Sequence, residues 1–364
     1  MPDARLSRLR STMAAAQLPA FLVIEPINVG YLSGFTGSTA ALIITPEDAL
    51  MVTDGRYTIQ AQRECPGFEI RQMEMTQGLM DRVALEAKAL GRTPLGVEGE
   101  TITLNRFQAL AKQLEGIEPR PTEDIVETLR RVKDEGEIDL IRAACGIVDR
   151  AFEFLLTLIR PGISERDLAT EIEYFMKKAG SEKEAFDTIV ASGARAALPH
   201  GRASDKLLEA GDFITFDFGA RVGGYHSDIT RTVVLGTATD RQREVYQVVL
   251  DAQQAAIAAL RPGMTGKEAD QVARDRIAAR GYGDYFGHGL GHGLGRHVHD
   301  GGGLSQRIDM TLAAGMVLTV EPGIYLEDWG GVRIEDDVVL RETGAEILTH
   351  APKELIEIPV TSSG

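Results

Sequence analysis

Cysteine is nearly absent from the 364 residues: Cys65 and Cys145 stand alone, one in each prospective domain. Two free thiols in a reducing compartment fit that count better than a disulfide framework, and the expected location is the cytoplasm. Basic charge is also in short supply. Lysine and arginine number 39 against 54 acidic residues, a net charge of −15. That is the wrong sign for a nonspecific grip on phosphate backbones, so nucleic acid is not an expected partner. Nowhere do eighteen apolar residues run together without charge, so no membrane span is expected. The amino terminus interleaves Arg5, Arg8 and Arg10 with leucines and lacks the apolar core of an export signal. A hydrophobic content of 43% over this length is enough for two domains with cores of their own.

Up to about residue 120, helical and strand signals alternate. An amphipathic start from Asp3 is followed by apolar strands at Phe21–Ile24, Ala40–Ile44 and Leu50–Thr53, and by helices near Tyr57–Glu64 and Leu79–Leu90. An α/β domain is expected there. Two prolines in the segment 116–123 mark a composition shift, beyond which a helical pattern runs to Leu158. The expected division is therefore 1–122 and 123–364. The second part contains a repeat: Ile159-Arg-Pro-Gly-Ile-Ser is echoed 101 residues later by Leu260-Arg-Pro-Gly-Met-Thr, each ending one helix and capping the next with Ser164 or Thr265. Both copies then run to a glycine, Gly180 or Gly281, and strands bearing two carboxylates follow each. For one copy, a common helix stop explains the pattern equally well; two copies with matched flanks favour a duplicated α-α-β unit. Duplication would bring the two carboxylate pairs face to face across a pseudo-twofold axis.

Asp217 sits in Phe213-Ile-Thr-Phe-Asp-Phe, Asp228 opens the strand Asp228-Ile-Thr-Arg-Thr-Val-Val-Leu, Glu321 follows Val317-Leu-Thr-Val, and Glu335 interrupts Val332-Arg-Ile-Glu-Asp-Asp-Val-Val-Leu. An ionised carboxylate in such apolar surroundings costs several kcal/mol unless it is paired or coordinated to a metal. For any one of them, an ion pair or an exposed strand end is the plainer reading. Arg231 and Arg333 are the only basic residues inside those strands, too few for four acids, whereas two divalent ions would balance them. The segment from Phe286 to Asp300 concentrates His288, His292, His297 and His299 among glycines. It lacks the strand–loop–helix context and lysine of a phosphate loop, and four clustered histidines are unusual as core packing. A donor set rich in oxygen with an imidazole suits Mn²⁺, Co²⁺ or Zn²⁺.

With these residues in these contexts the chain resembles the pita-bread metallopeptidases, specifically the Xaa-Pro branch of aminopeptidase P and prolidase. The resemblance runs through Asp-Phe-Gly, Ser-Asp-Ile-Thr-Arg-Thr, His-Gly-Leu-Gly-His, Val-His-Asp, Thr-Val-Glu-Pro-Gly-Ile-Tyr and Gly-Val-Arg-Ile-Glu-Asp. Asn28-Val-Gly-Tyr-Leu-Ser-Gly-Phe-Thr-Gly and Thr53-Asp-Gly-Arg-Tyr look like the creatinase-type amino-terminal domain of the same branch. It implies an α+β fold, a small α/β domain followed by a catalytic domain of duplicated α-α-β units. It further implies two divalent metals, manganese first among the candidates: Asp217 on one, His292 and Glu321 on the other, Asp228 and Glu335 bridging, with a hydroxide between them as nucleophile. His299 would stabilise the tetrahedral intermediate, His200 would approach the leaving group, and His288 would line the proline subsite. Thr230 and Arg333 would orient the bridging carboxylates, and Arg307 would read a substrate carboxylate, a task suited to its forked guanidinium. The implied substrates are dipeptides or short peptides with proline second, and the implied assembly is a homodimer. His297 and Arg296 replace the aliphatic and acidic residues common in the family just before the catalytic His-Asp or His-Glu, and Gly301-Gly302-Gly303 replaces a more proline-rich stretch. A metal-free creatinase-like hydrolase and a noncatalytic binding protein share this scaffold.

Overall fold

The structure is a computed structural model that describes residues 2–360, and these form two compact units that divide between Arg130 and Arg131. In the first unit a six-stranded mixed sheet runs in the order Glu69–Gln72, Ala49–Thr53, Ala40–Ile44, Ala20–Val23, Leu95–Glu98, Pro119–Thr122. Its central strands are apolar on both faces, and their period-two alternation feeds two separate cores. Phe21, Val23, Leu42 and Ile44 pack with Leu9 and Met13 of the first helix, Pro2–Ala15. Ala20, Leu22, Ala41 and Ile43 pack on the other side with Val83 and Ala84 of the helix Leu79–Leu90. Val126 and Leu129 join the first of these cores, so that residues 123–130, expected in the second domain, pack with the first unit.

The second unit repeats one arrangement twice. Helices Glu135–Leu156 and Glu165–Lys178 precede the strands Ile189–Ser192, Phe213–Phe218 and Ile229–Leu235; helices Asp240–Ala259 and Gly266–Ala279 precede Val317–Val320, Gly330–Arg333 and Asp336–Arg341. The repeated motif has repeated geometry. Ser164 accepts from the amide of Asp167 and Thr265 from that of Glu268, and both are capping boxes. Gly162 and Gly263 both take the left-handed backbone that an L side chain resists, with φ of 81° and 90°. Gly162 donates to Leu208 O and Gly263 to Leu312 O, each at 2.9 Å. Each half buries its own apolar core.

The halves join where their strands cross. Glu335 N donates to Thr230 O at 3.1 Å, and Thr232 Oγ1 both donates to Arg333 O (3.0 Å) and accepts from Arg333 N (3.3 Å). This seam brings the carboxylates of the first half opposite those of the second, as the duplication implied.

Candidate active site

Asp217 lies within the strand Phe213–Phe218, and its register partner on the neighbouring strand is Thr230. Asp228 stands one residue before the strand Ile229–Leu235, Glu321 directly after Val317–Val320, and Glu335 between Gly330–Arg333 and Asp336–Arg341. These are strand ends at the seam, where chain direction changes and side chains from four strands converge. The four acids and His292 line one cavity of about 430 Å³ together with His200, His288, His299, Tyr325 and Arg333. Phe186, Ile189, Pro199 and Val298 supply an apolar wall.

Electrostatically the cluster is unbalanced as a set of bare side chains. Burial, followed by the charges of Glu335 and Asp217, drives the Asp228 carboxyl well above the usual carboxylate range. Burial and the Glu321 and Asp217 charges do the same to Glu335. Asp217 is raised by burial, opposed by the Arg333 guanidinium. One oxygen of Asp217 and one of Asp228 are buried with no hydrogen-bond partner. Asp228, His292 and Glu335 offer ligand atoms all within 4.8 Å of one another. His292 Nδ1 meets Gly293 O at 3.1 Å, which turns Nε2 toward Asp228 Oδ2 and Glu321 Oε1, each at 3.5 Å. An imidazole lone pair facing carboxylates is repulsive until a cation lies between them. Orphaned oxygens, raised carboxyls and an inward-facing imidazole together fit divalent metal better than simple solvation or ion pairing.

Of the two strand arginines weighed against the acids, Arg231 is consumed elsewhere: its guanidinium pairs with Asp336 at 2.8 Å, both side chains being almost fully buried. Asp336 also accepts from Lys353 Nζ (2.6 Å) and Gln253 Nε2 (2.7 Å). Arg333 joins the site. It donates through Nη2 to Asp217 Oδ2 (2.6 Å), through Nε to Thr230 Oγ1 (3.0 Å) and through Nη1 to Tyr325 OH (2.9 Å). Thr230 Oγ1 in turn donates to Glu335 Oε2 at 2.7 Å. The rings of His292 and His299 are 4.2 Å apart. Glycines in this loop permit backbone contact, since a Cβ on Gly291 would fall 2.0 Å from Thr319 O and one on Gly293 2.2 Å from Gly301 O.

Arg307 is not brought to the cavity. It is exposed and absent from the lining, and its amide donates to Ser305 Oγ at 3.3 Å. His297 is exposed and also stands outside the lining. Two contributors escaped the reading of the sequence. Tyr325 OH meets His288 Nε2 at 2.8 Å, and since His288 Nδ1 lies 2.8 Å from Gly289 O, the hydroxyl is the donor to a neutral ring. Burial lowers the His288 pKa in keeping with that. Asp337 Oδ2 accepts from the amide of Asp228 (2.9 Å) and from Cys145 Sγ (3.3 Å), fixing the backbone at Asp228. The run Glu335-Asp336-Asp337 in an apolar strand carried the signal for Asp337.

The model of metallopeptidase family M24 matches residues 139–342, and that of the creatinase/prolidase N-terminal domain matches residues 5–132. A Xaa-Pro dipeptidase of Pyrococcus furiosus is 39% identical over 97% of this chain and 99% of its own length. Among solved structures, a Xaa-Pro dipeptidase from Bacillus anthracis superposes with a TM-score of 0.96 at 43% identity, covering 98% of this chain and 100% of that one. An X-Pro aminopeptidase from Thermotoga maritima gives 0.89 at 43% identity, covering 97% and 99%.

Proposed function

The chain belongs to metallopeptidase family M24, and from that premise we propose that it hydrolyses the bond preceding proline at the amino terminus of dipeptides and short peptides, using two divalent metals. The observation that carries the reading is the convergence of Asp228, His292 and Glu335 within 4.8 Å, flanked by Asp217 and Glu321, on the floor of a cavity that three further histidines line. In this assignment Asp217 would hold one metal, His292 and Glu321 the other, and Asp228 and Glu335 would be shared by both. The two metals would supply Lewis acidity and an activated water. No serine or cysteine nucleophile is needed; both cysteines are buried, and burial raises both thiol pKa values.

The remaining work falls to the chain's own groups. Arg333 and Thr230 hold Asp217 and Glu335 in fixed orientations. His299, beside His292 at the cavity surface, donates a hydrogen bond to oxygen charge as it develops on the scissile carbonyl. His200 also lines the cavity and serves the leaving nitrogen, which in a peptide proline is tertiary. His288, whose pKa is lowered by burial and whose Nε2 accepts from Tyr325 OH, lines the subsite for the proline ring. The apolar wall of Phe186, Ile189 and Val298 excludes water around the substrate. Arg307 is left out of the assignment, and the cavity's one arginine, Arg333, is committed to Asp217, Thr230 and Tyr325.

Manganese suits the oxygen-rich donor set best, with cobalt or zinc able to replace it. A homodimer in the cytoplasm completes the proposal, the location supported by two free thiols. Among the described residues no helix is long and apolar enough to cross a membrane. The test is elemental analysis of dialysed protein with assays on Ala-Pro and Ala-Pro-Pro before and after chelation. Stoichiometric metal and activity that returns with Mn²⁺ are expected. Absence of bound metal together with absence of Xaa-Pro hydrolysis would defeat the reading.

A further inference from the structure

His299 has no hydrogen-bond partner among the described residues, and its ring meets that of His292 at 4.2 Å. Its place in the cavity is therefore dictated by its backbone. That backbone belongs to a closed loop. Asp300 N donates to Gly293 O at 2.7 Å, Gly295 N to His297 O at 3.0 Å, and Leu294 N to Val317 O at 2.9 Å. The Asp300 carboxylate turns back into the loop and accepts from Arg296 N at 2.9 Å. It fills the interior so closely that a Cβ on Gly295 would stand 2.1 Å from Asp300 Oδ2 and 2.8 Å from Lys133 Cε.

A carboxylate enclosed in this way requires a counter-charge. Lys133 supplies it from a segment far away in sequence: its Nζ lies 3.8 Å from Asp300 Oδ2, with the two side chains 1% and 3% exposed. Lys133 is itself pinned, its amide donating to Gly315 O at 2.9 Å and its Nζ to Arg131 O at 3.3 Å. We propose that Lys133 and Asp300 are positioning residues, a buried ion pair that holds the loop Gly293–Asp300 closed and thereby sets where His299 stands against the substrate. The proposal rests on the peptidase reading of His299 and adds to it the element that places the imidazole. Neither residue lines the cavity; both act through His299.

The experiment is a double-mutant cycle on the full metal-loaded chain with a Xaa-Pro dipeptide. Lys133→Met lowers kcat by ~10–100-fold while KM stays within about twofold, bound metal is unchanged, and Lys133→Arg restores most of the rate. In a His299→Gln background the same Lys133→Met substitution changes kcat by less than about threefold, because the group it places is already gone. Lys133→Met/Asp300→Ala, which removes both members of the pair, folds normally and keeps the kcat loss. Histidine-ring NMR of the zinc-loaded chain gives a readout independent of turnover: Lys133→Met shifts or broadens the His299 signals and leaves those of His288 in place. Equal fold losses in both backgrounds, loss of metal from Lys133→Met, or unmoved His299 signals would each overturn the proposal. Displaced His299 signals in a protein that cleaves no Xaa-Pro bond would sink the peptidase reading and leave the positioning role standing.

Discussion

Replacing Thr230 with valine removes one hydroxyl from a fully buried position and leaves the shape of the side chain nearly intact. That hydroxyl donates to Glu335 Oε2 at 2.7 Å and accepts from Arg333 Nε at 3.0 Å. Without it, one oxygen of the Glu335 carboxylate loses its donor and the arginine that grips Asp217 loses an acceptor. A hydrogen bond to a charged group is worth roughly 1.5–3 kcal/mol, and a bound cation takes up part of what Glu335 loses. The net expectation is a weakening of metal affinity by ~10–100-fold, about 1.4–2.8 kcal/mol. Because Thr230 does not line the cavity, kcat at saturating metal falls by less than about tenfold. Competition with a chromogenic chelator measures the first quantity and dipeptide hydrolysis over a metal series the second. Thr230→Ser, which keeps the hydroxyl, should bind metal within about threefold of the parent chain. Metal binding by Thr230→Val within twofold of the parent would refute the claim that this hydroxyl orients Glu335.

Chelation should make stability depend on pH in a direction the loaded protein does not share. Burial raises the carboxyls of Asp217, Asp228 and Glu335 above their ordinary values, so the metal-free fold is stabilised at low pH and loses that contribution as pH climbs past the carboxylate range; thermal unfolding between pH 5 and 8 with and without Mn²⁺ checks the sign. Tyr325→Phe takes the donor from His288 and an acceptor from Arg333, and kcat/KM should drop by about tenfold with metal content intact. Arg307→Ala should leave the ratio of Ala-Pro to Ala-Pro-Pro hydrolysis unchanged, since Arg307 is exposed and off the cavity; a selective loss on the dipeptide would restore it as a carboxylate reader. In the first unit, burial raises Glu98 to about 7 against amides of Ile24 and Glu25 that oppose the shift. Its roughly 3 kcal/mol is present below the ordinary glutamate value and lost as pH rises through 7, so hydrogen exchange in the strand Leu95–Glu98 should quicken between pH 5 and 8.5 after correction for intrinsic rates.

Much of this molecule was legible before its structure because two periodic signals pointed the same way. The strands at Ala20–Val23, Ala40–Ile44 and Ala49–Thr53 fall within a residue or so of their expected bounds, since apolar runs of that length between turn residues have few alternatives. The Arg-Pro-Gly repeat announced the duplication, and left-handed Gly162 and Gly263 with their paired hydrogen bonds explain why both copies needed the same residues. The segment 123–130 was not legible: two prolines marked a boundary by composition, whereas packing is decided by Val126 and Leu129 finding an apolar core. Arg307 shows the converse. A plausible side chain at a plausible distance along the sequence carries no information about which way its loop faces.

One rule, that an acid within an apolar strand needs a partner, applied equally to Asp217, Asp228, Glu335, Asp336 and Asp337, yet these residues met it in three ways. Asp336 is paired by Arg231 and Lys353 and is lowered despite its burial. Asp337 serves the amide of Asp228 and the thiol of Cys145. Asp228 and Asp217, like Asp337, each keep a buried oxygen with no protein partner, but of these three only Asp228 and Asp217 line the cavity. Glu335, Asp336 and Asp337 are adjacent, so local composition could not sort them. What separates them is the origin of their neighbours: Arg231 and Lys353 reach Asp336 from opposite directions along the chain, while the seam between the repeated halves gives Glu335 a hydroxyl, an imidazole nearby and more carboxylates. Strand alternation then turns Asp336 away from the face that Glu335 and the seam share. The fold thus supplies positive charge to one acid and withholds it from the next, and withholding it is what leaves room for metal.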